Sequence, residues 1–262
     1  MHVKSDEYRS HKIFEELERH VNFYKHFSFH IASFMSLGTT SIMNIDTYVY
    51  SSMQGTLSSI RILLLDGRIN DAYALVRKLH DSIIINIYTT IYLDDNQSIE
   101  NFIVKQINDW ISGDSQLPSI RSIKNYIKDA AKLKFLNLLI NKDDRYAKIR
   151  DRGNDNTHYN FYRNVMLNDN NIYIEKRGAY LTLLSSDVSN LVIMHLAYIF
   201  FMCNHYMNSM EILEYFEEGI TPPDNIEFEV APFIQEVFNN LIKKHRPDIA
   251  NLILANTTMF LY

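Results

Sequence analysis

The sequence predicts an all-α protein. Three observations point there: glycine and proline are sparse, at 7 and 5 of 262 residues; apolar residues recur at i, i+3 and i+4 through long stretches; and alternating apolar–polar segments are few. Glycine and proline are the strongest breakers of regular structure, so their scarcity favours long helices. At 47% hydrophobic and 13% aromatic residues the chain has the material for a large core and is not of disordered composition.

Taken in order, a first helix is expected from about Glu7 to Met35, its second half crowded with Phe23, Tyr24, Phe27, Phe29 and Phe34. His26 and His30 on it have metal-chelating spacing, but no paired carboxylate stands with them, so they read as the border of an aromatic core face. Leu37 to Ser41 breaks this helix. A second runs from about Asp46 to Leu65 and stops at Asp66-Gly67, a normal glycine stop. Asn70 is expected to cap a third, Asp71 to about Leu93, striped by Ala72, Leu75, Val76, Leu79, Ile83, Ile87 and Ile91. On its other side Tyr73, Arg77 and Asp81 stand at i, i+4 and i+8. Arg77 and Asp81 read as a surface or inter-helix ion pair ahead of a catalytic one.

Shorter helices are expected over Ser98–Ile111, Ile120–Asp129 and Lys132–Asn141, with a loop from Gly113 to Pro118. A polar helix follows from Asp143, with acids in its first turn and bases later, matching the helix dipole. Leu167 to Asn171 is turn-rich, and Ile172 to Gly178 is expected as a short extended arm. A long helix from about Tyr180 to Phe216 comes next, then a linker, Gly219 to Asn225. Helices over Pro232–Lys244 and Pro247–Asn256 and an apolar tail, Met259 to Tyr262, close the chain. The run Leu191 to Cys203 is the best membrane candidate, but a span needs about 20 apolar residues, and this shorter run suits a buried core helix.

Composition also excludes. A net charge of −5 argues against a general nucleic-acid coat, so any RNA contact must use a local basic patch. One cysteine, Cys203, permits no internal disulfide and fits a reducing cytoplasm, and Met1 to Glu7 shows no apolar signal region. The phosphate-loop and dinucleotide-loop glycine motifs, H-E-x-x-H, C-x-x-C and G-x-S-x-G are all absent. By elimination, an enzymatic site falls in the 150–160 segment of the polar run Lys148 to Asn160, where Arg150, Asp151, Arg152, Asn154, Asp155, His158, Tyr159 and Asn160 crowd together. On a helix turning about 100° per residue, Asn154 and His158 share a face, Arg150 lies about 80° from His158, and Arg152 and His158 straddle the helix.

Arg152-x5-His158, late in an all-α chain, resembles the R-x4-6-H motif of the HEPN superfamily, many of whose members are ribonucleases. The stretch from Ser58 to Arg77 also looks like the helix–turn–helix of HEPN-like bacterial defence proteins, and the likeness covers about residues 40 to 210. Family members often carry Asn directly after the Arg; here Gly153 stands there and Asn154 one place on, which keeps Arg150 open as a rival. The resemblance implies a HEPN-like helical bundle over 41–217, a helical extension over 1–40 and another over 218–262 packed on the same core. It implies a metal-independent, cofactor-free endoribonuclease, a toxin or effector of anti-phage abortive infection. His158 would move the proton and Arg152 hold the phosphate, with Asn154 orienting, Tyr159 stacking a base, and Arg150, Asp155 and Asn160 touching substrate. It further implies a cytoplasmic homodimer with a composite cleft, and an antitoxin or other defence partner. A catalytically inert HEPN-type module that binds RNA, a nucleotide or a partner stays open, as does a plain helical scaffold.

Overall fold

In a computed structural model, residues 1–209, 215, 218–221 and 229–262 are described. The protein is 69% helical, and the described residues form no strand; one isolated antiparallel bridge joins Asn208 and Val230. Among the described residues the α-helices are α1 (Asp6–Arg9), α2 (Ile13–His30), α3 (Ile45–Leu65), α4 (Ile69–Asn96), α5 (Lys105–Ser112), α6 (Ile120–Asp129), α7 (Lys134–Ile140), α8 (Arg145–Thr157), α9 (Tyr162–Met166), α10 (Arg177–Met202), α11 (Pro232–Val237), which continues as a π-helix over Phe238–Lys243, and α12 (Pro247–Asn256).

The chain folds as two compact units, each assembled from three separated stretches. The first takes residues 1–29, 45–86 and 141–192; the second takes 30–44, 87–140 and 193–262.

In the first unit α1, α2, α3 and the leading part of α4 supply Tyr8, Leu17, Tyr24, Phe27, Tyr50, Leu57, Val76 and Leu79 to the core. Phe27 and Tyr50 stack with ring centroids 4.9 Å apart. The buried Tyr8 hydroxyl donates to the Leu64 carbonyl at 2.5 Å, near the C-terminal end of α3, where the same carbonyl also accepts the Gly67 N–H at 2.9 Å. Gly67 ends α3 as expected, at φ +80°, a conformation only glycine adopts freely. A Cβ there would also meet Val3 at 2.5 Å. Arg177, fully buried, holds the loop before α10 by donating to the carbonyls of Asp169 and Ile172, and also to that of Met1.

In the second unit the core gathers Ile91, Ile107, Ile127, Leu136, Leu196, Phe200, Phe238, Ile249 and Ile253. Tyr198 of α10 donates to Asn137 of α7, whose amide donates to the Ile127 carbonyl at the end of α6. The tail docks here: the Tyr262 carbonyl accepts from Gln235 of α11, and Met259 is buried.

Several boundaries differ from expectation. The first helix divides at Ser10–Lys12, where the His11 ring accepts the Ile13 N–H, a local side-chain bond competing with the helical ladder. Asn70 does not cap α4; it lies inside the helix, and its side chain donates to Asn156. Helix α5 starts only at Lys105, and the expected arm 172–178 is irregular up to Arg177, where α10 begins. Helix α10 ends at Met202 and gives way to a short 3-10 turn, Asn204–Met207; the expected continuation to Phe216 and the linker from Pro222 to Asn225 lie outside the described residues. By length and composition α10 could cross a membrane, yet 78% of its most apolar window is buried inside the protein, as in a core helix.

Candidate functional site

The polar segment folds as α8, which lies in the first unit. Asp144 precedes it, its carbonyl accepting from the Lys148 N–H and its carboxylate pairing with the Lys148 ammonium. Tyr146, Ile149, Gly153 and Asn156 form its buried stripe at steps of three and four residues. Gly153 is the contact point with α4: a Cβ there would lie 2.8 Å from the Arg77 Cβ. No larger residue fits without displacing α8 or Arg77, which accounts for glycine at this position.

That approach builds a polar cluster. Arg77 Nε donates to the Asn154 side-chain oxygen at 2.8 Å, and Arg77 Nη1 pairs with Asp81. The buried His80 places Nδ1 3.0 Å from the same Asp81 oxygen. Burial pushes the Asp81 carboxyl up, but the bonds from His80 and Arg77 outweigh it and hold it below the ordinary carboxylate range. Two residues further along α8, Asn156 is buried, donates to the Arg152 carbonyl and accepts from Asn70.

Arg152 turns inward. Its Nε donates to Oδ2 of Asp187 at 2.8 Å and its Nη2 to Oδ1, a two-pronged pair with a buried carboxylate of α10. Burial pushes the Asp187 carboxyl up, and Arg152 pulls it back only in part. On the other side burial opposes the Arg152 charge, and the bonds to Asp187 outweigh it, holding the guanidinium above its ordinary range. Arg150 is differently placed: its Nε and Nη2 both reach a single oxygen of its neighbour Asp151, at 3.2 and 3.0 Å, on the exposed side of the helix.

His158 caps the C-terminal end of α8. It is exposed, its backbone N–H donates to the Asn154 carbonyl at 3.0 Å, and its imidazole makes no hydrogen bond or ion pair among the described residues. The Asn154 side chain serves Arg77, so only the backbone joins Asn154 to His158. The turn beyond is a Schellman motif: Tyr159 N–H donates to Asn156 and Asn160 N–H to Asp155. Tyr159 takes the left-handed position usual for glycine, at φ +49°. The Asp155 carboxylate accepts from the Asn160 side chain, and its carbonyl from the buried Asn164. Thus the structure brings Asn154, Asp155, His158, Tyr159 and Asn160 to one end of α8, leaves Arg150 outside, and commits Arg152 to the interior.

Three participants escape the sequence reading. Asp187 was legible only as a lone acid in an apolar helix, which demands a cation without naming which. His80 lies on the same helix as Arg77, three residues on, and no spacing or motif singles it out. Tyr73, expected on the polar side with Arg77, is buried, and burial pushes its hydroxyl pKa up. Among the described residues no group of three or more His, Cys, Asp and Glu gathers to hold a metal. No family model, curated protein or solved structure matches the chain.

Proposed function

We propose that the protein is a HEPN-type endoribonuclease with a HEPN-like bundle, cutting RNA without a metal. The observation that carries this reading is His158: an exposed imidazole, uncommitted to any partner among the described residues, at the end of a helix bearing arginines. RNA brings its own nucleophile. As the 2′-oxygen attacks phosphorus its proton passes to an imidazole; the P–O5′ bond breaks and the 5′-oxygen takes a proton, leaving a 2′,3′-cyclic phosphate and a 5′-hydroxyl.

Phosphate contact falls to Arg150, which can leave its neighbour Asp151 at little cost because exposed ion pairs are weak. Arg152 has Nε and Nη2 on Asp187, which leaves the two N–H of Nη1 and the second N–H of Nη2 to meet substrate. One imidazole cannot be base and acid in the same step, so a second copy supplying its own His158 completes the site. In this reading the enzyme is a cytoplasmic homodimer, an effector of bacterial anti-phage defence restrained by a partner protein.

Incubation of the purified chain with total RNA in excess chelator tests it: fragments with cyclic-phosphate ends are expected, and intact RNA would refute the proposal. The commitment of Arg152 to Asp187 favours a second reading, an inert module that binds RNA; it predicts binding without cleavage.

A further inference from the structure

We infer that a cleft beside the C-terminal end of α4, within the second unit, binds a linear polyamine, an inference that goes beyond the ribonuclease reading and stands without it. The cleft has a volume of about 540 Å³, in the range of small-molecule sites. Tyr92 and Asn96 of α4, Asn101, and Lys105, Gln106 and Asp109 of α5 line it. Tyr92 is a fixed wall. Its ring packs against those of Tyr88 and Tyr126, with centroids 5.4 and 5.6 Å away.

The lining presents acceptors. The Asn96 side-chain amide donates to the Tyr92 carbonyl at 2.8 Å, and that of Asn101 to the Asn96 carbonyl at 2.7 Å. A backbone carbonyl only accepts, so both amides are oriented with nitrogen on the protein, which leaves their oxygens for a ligand. Gln106 likewise turns its nitrogen to the Tyr88 hydroxyl, at 3.1 Å. The one carboxylate in the lining, Asp109, is met at 2.5 Å by the ammonium of Lys105, one turn away on α5. Lys105 is 85% exposed and such pairs are weak, so a second ammonium can displace it. The protein's own lysine thus shows which group fits the carboxylate.

The surroundings favour a cation even after the ion pairs are set against each other. Asn96 is the last residue of α4, at the negative pole of the helix dipole. The last turn of α4 has no basic residue but holds Asp94 and Asp95, and the single ammonium of Lys132 serves both. Acids at this end oppose the dipole, and a bound cation offsets them. A divalent metal fits poorly, because one carboxylate lines the cleft where such ions take several. A quaternary ammonium has no N–H for the amide oxygens. A chain of spaced ammonium groups meets Asp109 and Gln106 on α5 and Asn96 and Asn101 beside the end of α4, with an ammonium or its methylenes against Tyr92.

The test is calorimetric titration of spermidine into the full-length chain, freed of nucleic acid, at low ionic strength. Saturable binding at one site per chain is expected. Asp109→Asn should weaken it about fivefold or more, and Tyr92→Leu about 2- to 30-fold. Lys105→Ala should instead tighten it about 2- to 5-fold, because the competing ammonium is gone; loss of fold cannot produce that gain. Glu175→Gln removes the same charge from an exposed position in the first unit and should leave the affinity unchanged. Absence of saturable binding, unaltered affinity in Asp109→Asn, or weaker binding in Lys105→Ala overturns the proposal. So does an equal loss in Glu175→Gln and Asp109→Asn, which makes the attraction a general one to an acidic chain.

Discussion

Arg152 and Asp187 form a two-pronged ion pair between α8 and α10, with Nε on Oδ2 at 2.8 Å, Nη2 on Oδ1, and the carboxylate buried. The pair divides the candidate site, turning one motif residue inward while the other, His158, stays exposed at the helix end.

Arg152→Ala is therefore expected to destabilise the fold, by about 3 kcal/mol, because it leaves Asp187 buried without its cation. Asp187→Asn should cost less, since a carboxamide oxygen still accepts from Arg152. The double change Arg152→Met with Asp187→Leu should recover much of the loss. Urea unfolding of the three variants checks the order.

Gly153→Ala should lower stability by about 1–3 kcal/mol through overpacking, although alanine is normally the better helix former. The added Cβ meets Arg77 at 2.8 Å. A melting temperature equal to or above wild type would mean that α8 and α4 separate freely.

The Asp81 carboxyl, held low in the folded protein by His80 and Arg77, gives a pH dependence of known sign. A depressed folded pKa stabilises above the unfolded carboxylate range and loses that contribution as pH falls through the folded value. Wild type should exceed Asp81→Asn in stability near neutral pH, and the gap should shrink below about pH 4. A gap that widens toward acid would contradict the cluster.

The helical architecture was legible because its signal is local. Val76, Leu79, Ile83, Ile87 and Ile91 recur at helical spacing, and all are buried in α4. Gly67 was legible because a left-handed stop needs glycine. What was not legible depends on long-range pairing. Nothing near Arg152 in sequence says that its partner lies 35 positions on at Asp187, so a phosphate role looked open to it. Asn70 looked like a cap by residue type, but Asn156, 86 positions away, claims its side chain. The break at His11 carries no glycine or proline to announce it. The sequence put His158 on a helix face shared with Asn154, whereas α8 ends at Thr157 and His158 stands at its C-terminal cap.

The most direct measurement is the single-turnover rate of RNA cleavage in excess chelator, for wild type and His158→Ala side by side, with melting temperatures taken on the same samples. An exposed imidazole removed from a helix end leaves no cavity, so the melting temperatures should agree. A general acid or base contributes about 10²- to 10⁴-fold, so cleavage to cyclic-phosphate ends should fall by at least about 100-fold in His158→Ala. Cleavage by His158→Ala at the wild-type rate, or no cleavage by wild type at all, would contradict the ribonuclease assignment.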